Sequence, residues 1–431
     1  MLAWSILALF GVASASDGLR GHQVLQINGI EPATLELVGV NDLWSFDPIS
    51  RRAIVNASPR DISLLQLMPE LRVQVLDANL HETVSKEKQA REQRQALRLM
   101  SSQLPLDDFS DYLNYEDLVS WYKRLAEAYP RTVRFVESIG VTGEGRAIPA
   151  VHICQQDKSN LNGNQRIRRR KERKVVWMQA LIHAREWISG ATLQFLAYHL
   201  ASAPSSSDLG NYEFVLLPVV NPDGYSYSWR ENRLWRKNRR PLMDTFGIYG
   251  VDLNRNFPSH WEKGGKGASD IPFSDTYRGP SPASEPETRA IMAYVEKLGR
   301  RVKGSIDWHC FSQLILFPWG WTEEPHPRST AYRRLGNRLK QAFKKVNGRD
   351  YKAVPSHELY VNTGSGIDWF AEQLKGIWSV GVELPPTGRS GENGFMLDPK
   401  QIRGVGEESW SALKAFVAFL SEEAQEVGRE A

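Results

Sequence analysis

His183 and Glu186 stand three residues apart in His183-Ala184-Arg185-Glu186-Trp187. They follow an apolar run at 175–182 that is short, rich in β-branched residues and preceded by charge, so it reads as a buried strand. A helical stretch from 187 to about 200 comes next. An imidazole and a carboxylate at a strand-to-helix turn can converge on one point. They suit Zn²⁺, whose catalytic sites take about three such ligands and keep one position open for water. Such a pair alone is a common accident of a solvated helix surface. His309 ends the strand 305–308 and offers a third donor, giving the His, Glu, His count of a hydrolytic zinc. The other histidines sit in ordinary strand, helix and loop settings, and any of them stays open as a ligand.

Further residues have types that chemistry uses. Glu383 ends the apolar strand 379–382, where a carboxylate is costly to bury unless it has a task. A general base beside water at a metal is such a task; a salt-bridged structural acid is the plain alternative. Arg233, Arg236 and Lys237 cluster at 232–237, and Asp252, Asn254, Arg255 and Asn256 at 251–257. These are either solvated basic loops or groups that bind a carboxylate bidentately and hold an oxyanion. Tyr360 lies beside a small-residue loop, 359–366, that has the freedom to move, or it serves plain packing.

Strand and helix periods place these residues. Residues 22–77 read as strand (22–27), helix (35–44), strand (53–55), helix (61–68) and strand (71–76). That order suggests an open sandwich of antiparallel strands with two helices on one face. Residues 78–104 are basic and free of glycine, an exposed helix leading to a linker at 101–105, where trypsin-like cleavage would act. From 109 a larger unit begins, with helices at 116–129, 187–200, 285–298, 332–346 and 409–420. Its strands lie at 148–154, 175–182, 212–220, 303–309 and 378–383, and Asn221-Pro222-Asp223-Gly224 reads as a turn. This alternation predicts an α/β sheet covered on both faces, with functional residues at strand ends and in the loops after them.

A length of 431 residues suits two or three domains. A net charge of only +4 does not call for a nucleic-acid partner. No internal apolar run is long enough to span a membrane. Residues 1–15 are apolar and end in Ala13-Ser14-Ala15, the small-x-small form of a signal-peptidase site, although no Lys or Arg precedes the run. Residues 1–16 are thus expected to be a signal peptide and the protein to be secreted. Asn56-Ala57-Ser58 is a glycosylation sequon that fits this route. The chain has two cysteines, Cys154 and Cys310, which leaves one bridge open. The basic run 166–174 reads as a solvated loop, with a polyanion contact or a processing site as the alternatives.

Together these motifs resemble those of the zinc carboxypeptidases of the pancreatic A/B type, in zymogen form. The resemblance rests on His183-x-x-Glu186, Asn221-Pro222-Asp223-Gly224, Arg233-Leu234-Trp235-Arg236-Lys237 and Asp252-Leu253-Asn254-Arg255-Asn256. His309 followed by Phe311-Ser312-Gln313, then Tyr360, Ile367-Asp368-Trp369 and Glu383-Leu384 complete it, in the family's order over 109–420. The resemblance implies a mixed eight-stranded twisted sheet between helices, preceded by a small α/β prodomain. It implies an activation-peptide domain at 22–78, a connecting helix and linker at 79–105, and a catalytic domain at 106–424. One Zn²⁺ per catalytic domain would be held by His183, Glu186 and His309. Glu383 would be the general base and Arg236 would polarise the scissile carbonyl. Asn254, Arg255 and Tyr360 would bind the substrate's terminal carboxylate, with Arg185 lining the neighbouring subsite. Ile367 and Gly320 would line the specificity pocket. In the family an acid at the position of Ile367 selects Lys and Arg, so its absence implies an A-type preference for aromatic and aliphatic C-terminal residues. Basic, B-type specificity and a silent binding relative are the alternatives. Substrates would be peptides and proteins, and the activator a trypsin-like protease. The sequence departs from the family in the insertion at 166–174, in lacking the family's common cysteine pair, and in Pro385-Pro386 after Leu384.

Overall fold

The computed structural model describes residues 17–30, 34–35, 42–47, 50–99, 105–154, 173–203, 209–243, 247–263, 267–374, 376–386 and 394–430. The expected signal peptide, the linker at 101–104 and the basic run at 166–172 lie outside the described residues.

The N-terminal unit holds β1 (Gln23–Asn28), β2 (Leu43–Asp47), β3 (Arg52–Ala57), α1 (Pro59–Leu65) and β4 (Arg72–Asp77). Its four strands pair antiparallel in the order β2-β3-β1-β4. Leu25, Ile27, Phe46, Val55 and Leu65 make a small core of their own. Ser58 starts α1 through a capping box with Asp61, at 3.2 and 2.9 Å. Two expectations need correction. Leu43 and Trp44 are in β2, so no helix reaches 44. The apolar spacing at 35–44 mixes two elements, and β2 is set by its pairing with β3, Leu43 opposite Val55. The sequon is no surface acceptor: Asn56 is buried in β3 and its amide donates to Asp42 at 2.9 Å.

From β4 the chain runs through α2 (Leu80–Leu99), α3 (Tyr115–Ala128), β5 (Val133–Val136), β6 (Ala150–Ile153), β7 (Lys174–Ala180) and α4 (Trp187–Ser202). Then come β8 (Tyr212–Leu217), α5 (Pro222–Arg230), the short pair β9 (Pro241–Met243) and β10 (Ile248–Tyr249), α6 (Pro286–Leu298), β11 (Val302–Cys310) and β12 (Leu314–Phe317). The last elements are α7 (Ser329–Asn347), β13 (Lys352–Pro355), α8 (Gly366–Gln373), β14 (Trp378–Leu384) and α9 (Ile402–Glu430). Eight strands form one mixed sheet in the order β13-β12-β14-β11-β7-β8-β6-β5. Its centre, β14-β11-β7-β8, is parallel.

Central parallel strands are buried on both faces and need continuous apolar runs, which β7 and β8 supply. One face packs on α4, α7 and α9 through Phe195, Leu196, Leu339, Phe343, Leu413 and Phe416. The other packs on α6 and α8 through Ile291, Val295, Trp369 and Phe370. Asn221-Pro222-Asp223-Gly224 is no free turn but the start of α5. Asn221 caps the helix by accepting from Gly224 N at 2.9 Å, with Pro222 in the first turn. No disulfide joins Cys154 and Cys310, and both are buried.

Candidate active site

The C-terminal ends of β7, β11 and β14 lie side by side and point into one cleft of about 730 Å³. After β7, Leu181 adopts φ 55°, a left-handed conformation costly for a residue with a branched side chain. Two hydrogen bonds hold it: its N–H donates to Ser189 Oγ at 3.1 Å, and its carbonyl accepts from Asn221 N at 3.1 Å. This bend delivers His183 to the cleft, and Glu186 follows as the residue before α4.

His183, Glu186 and His309 are all buried, and their donor atoms lie within 4.8 Å of one another. His183 Nδ1 is 2.7 Å from Glu186 Oε1, His309 Nδ1 is 3.0 Å from Glu186 Oε2, and the two Nδ1 atoms are 3.2 Å apart. Ligands about 2.0–2.2 Å from a tetrahedral zinc would themselves be roughly 3.3–3.5 Å apart, so the donor set fits the ion in chemistry and spacing. Each imidazole turns its far nitrogen to a carboxylate. His183 Nε2 is 3.3 Å from Asp252 Oδ1, and His309 Nε2 is 3.1 Å from Asp307 Oδ2. Such partners fix ring orientation and keep Nδ1 free for metal. Gln179 in turn donates to Asp307 at 3.0 Å. Burial opposes ionisation of Glu186, yet His183 and His309 outweigh it and hold the carboxyl well below its usual range.

Asp252 also receives Arg236, whose Nε and Nη2 donate to Oδ2 at 3.1 and 2.9 Å. Burial raises the Asp252 carboxyl, but Arg236, Arg255 and His183 dominate and hold it well below the ordinary value. Arg236 Nη1 reaches 3.3 Å from His183 Nδ1, so the guanidinium faces the metal position. Arg255 is fixed by Gly267 O at 2.6 Å and Asn254 O at 2.7 Å, and its Nη2 donates to Tyr360 Oη at 2.7 Å. Asn254 Oδ1 accepts from Gly366 N at 2.8 Å. Glu383 stands directly beside His309 in the parallel register of β14 and β11. Burial pushes its carboxyl up to about 7, with Glu186 adding to the rise and His309 and Arg236 opposing it.

A family description, zinc carboxypeptidase, matches residues 118–412. This chain belongs to the zinc carboxypeptidase family. It is a zinc-dependent peptide hydrolase of the carboxypeptidase type, and its buried His-Glu-His set could hold the metal. It is 30% identical over 318 residues to a carboxypeptidase B of Astacus astacus, covering 73% of this chain and 99% of that one. It is 29% identical over 422 residues to a metallocarboxypeptidase A-like protein of Trichophyton verrucosum, covering 95% and 96%. Among solved structures it resembles the carboxypeptidase A of Helicoverpa armigera, with a TM-score of 0.82, 26% identity, and coverage of 94% of this chain and 99% of that one.

Of the site residues expected from sequence, His183, Glu186, Arg236, Asn254, Arg255, His309, Tyr360, Ile367 and Glu383 line the cleft. Arg185 and Gly320 do not. Arg185 is 1% exposed, lies over the Phe395 ring at 4.3 Å, and pairs with Asp42 at 2.8 Å and Asp275 at 3.2 Å. Gly320 sits behind the cleft wall, its N–H donating to Asp368 at 2.9 Å and its carbonyl accepting from Asn362 N at 2.9 Å. Sequence reasoning left Asp252 and Asp307 without a role. The signal was present for Asp307: two residues before His309 in a strand, it shares that residue's face. The cleft is also lined by Leu43, Trp44, Ser45 and Phe46 of β2, which belong to the N-terminal unit.

Proposed function

We propose that this chain is the secreted zymogen of an A-type carboxypeptidase, removing aromatic and aliphatic residues from the C-termini of peptides. The observation that carries the specificity is Ile367, 4% exposed, which lines the cleft with Leu316 and Leu359 where a charge-selecting pocket would need an acid. Burying Lys⁺ or Arg⁺ against these side chains leaves a charge unpaired, at a cost of several kcal/mol. An apolar side chain instead gains about 25 cal/mol per Å² of buried area.

His183, Glu186 and His309 would hold the zinc, which when bound would supply Lewis-acid polarisation. The substrate's terminal carboxylate pairs with Arg255 and receives hydrogen bonds from Tyr360 and Asn254, which selects a free C-terminus. Glu383 takes the proton of the attacking water and returns it to the leaving amine. Arg236, anchored by Asp252, donates to the developing oxyanion.

Latency follows from β2. Asp42 reaches Arg185, Ser45 Oγ lies 2.9 Å from Ser312 Oγ, and Asp47 pairs with Lys352 at 3.2 Å. Trp44 packs edge-on against Phe311 and Phe395, with centroids 6.4 and 5.3 Å away. Residues 22–78 then act as the inhibitory domain and 79–105 as the connection that a trypsin-like protease cuts, between about Lys86 and Gln103. A polyanion contact through the basic run 166–174 is a separate proposal, which retention on heparin at rising salt tests.

A B-type reading has one observation in its favour. The Asp368 carboxyl lies just behind Gly320, with Oδ2 3.1 Å from where a Cβ there would be. It is fully buried and accepts from Gly320 N and Trp321 N, which speaks against its meeting a substrate cation. Comparing kcat/KM for peptides ending in Phe and in Arg decides between the readings. Phe should be favoured in the parent, and Ile367→Asp should shift preference toward Arg. A parent that favours Arg overturns the A-type assignment.

A further inference from the structure

The walls of the specificity pocket are apolar, but the end nearest Gly320 is not. Ser356 Oγ and Asn362 Nδ2 each lie 3.2 Å from the place a Cβ on residue 320 would occupy. Both residues line the cleft and are almost fully buried, at 4% and 5% exposed. The Asn362 amide donates once, to Tyr360 O at 3.0 Å. Among the described residues its Oδ1 and the Ser356 hydroxyl make no hydrogen bond, although both side chains sit inside the protein. By contrast Ser365, which also lines the cleft, is committed: its Oγ accepts from Asp368 N at 3.3 Å and caps α8. Polar atoms that open onto a substrate cleft without a protein partner offer their hydrogen bonds to a bound group, and here two of them face one small space. The glycine at 320 is what keeps that space open, since any Cβ would press on Ser356, Asn362 and Asp368 together.

We propose that Ser356 and Asn362 form a neutral polar floor which selects C-terminal side chains having an apolar stem and an uncharged hydrogen-bonding tip: the phenol of Tyr and the carboxamide of Gln. This rests on the A-type reading above and narrows it. A hydroxyl tip accepts from the second N–H of Asn362 Nδ2 and donates to Ser356 Oγ. A carboxamide does both with its two ends. Leu316, Leu359 and Ile367 hold the stem. A charged tip finds no counter-charge on the floor itself, since Ser356 and Asn362 are neutral and the Asp368 carboxyl lies behind Gly320, accepting from two backbone N–H groups.

The test compares kcat/KM of the trypsin-treated protein on N-blocked peptides identical except for the last residue: Tyr against Phe, and Gln against Met. The preference for the polar member should be about fivefold, the size of one neutral hydrogen bond made in place of an unmade one. In Ser356→Ala and in Asn362→Ala the Tyr:Phe and Gln:Met ratios should fall toward one. Ratios do not depend on how much of each variant folds, so a poorly folding variant still reports. Parent ratios at or below one, or ratios unchanged in both variants, overturn the proposal while the Phe turnover leaves the A-type reading standing. Faster turnover of Arg than of either Phe or Tyr would remove that reading and the polar floor with it.

Discussion

Asp307 and His309 sit two apart on β11, so one strand supplies both a proposed metal ligand and the carboxylate at its far nitrogen. Asp307→Asn keeps the shape and removes the charge, so zinc affinity should fall about 10- to 100-fold. A competition titration against a zinc chelator reads this directly, and an unchanged affinity would show that Asp307 does not orient His309. Glu383→Gln should instead leave zinc binding intact and reduce kcat close to the background, because it removes the base and keeps the shape. Metal content and turnover of the same preparation separate the two cases. Most of the cleft was legible in the sequence because its residues end strands or sit in short basic loops beside them. The settings of Arg185 and Gly320 were not legible there. Their surroundings are set by Asp42, Phe395 and Asp368, partners far away in the chain that no local pattern names.

At the scale of elements, β2 is the inhibitory wedge of the proposed zymogen, and its grip is divided among ion pairs of Asp42 and Asp47, a hydrogen bond of Ser45 and the packing of Trp44 on two aromatic rings. Trp44→Ala removes the packing on Phe311 and Phe395, worth roughly 3 kcal/mol or more for a buried tryptophan. The uncut Trp44→Ala protein should therefore show measurable peptidase activity where the uncut parent shows little. An uncut parent already as active as the trypsin-treated protein would end the account of latency. Helices and central strands of the larger unit follow their apolar periods. Several elements escaped, among them the strands β5, β12 and β13, and two of the misreadings have clear physical reasons. Leu43 and Trp44 have apolar spacing that suits a helix, and only pairing with β3 makes them a strand. Asn221-Pro222-Asp223-Gly224 has turn composition, but Asn as N-cap and Pro in the first turn are equally helix starters, and the buried residues Tyr225 and Trp229 decide for α5.

For the molecule as a whole, stability should depend on pH through a group remote from the metal. Glu287 in the first turn of α6 is buried with Oε1 unpartnered among the described residues, and burial pushes its carboxyl up to about 8. A carboxyl raised above its unfolded value stabilises the fold while protonated, so that contribution declines as pH climbs from about 4.5 through 8. The Glu287→Gln variant should lose less thermal stability than the parent between pH 6 and pH 9; parallel losses would exclude Glu287 as the source. The pairing of the two units could not be read from sequence, since contacts such as Ser45 with Ser312 join residues 267 apart. In the proposed function the assembled molecule recognises a free C-terminus, through Arg255, Tyr360 and Asn254 in the same cleft as His183, Glu186 and His309. The most direct test uses one N-blocked peptide ending in Phe, as the free acid and as the C-terminal amide, with the trypsin-treated protein before and after zinc removal. The account predicts release of Phe from the acid only, lost with the metal and restored by zinc; equal cleavage of the amide, or cleavage unaffected by removal of zinc, would contradict it.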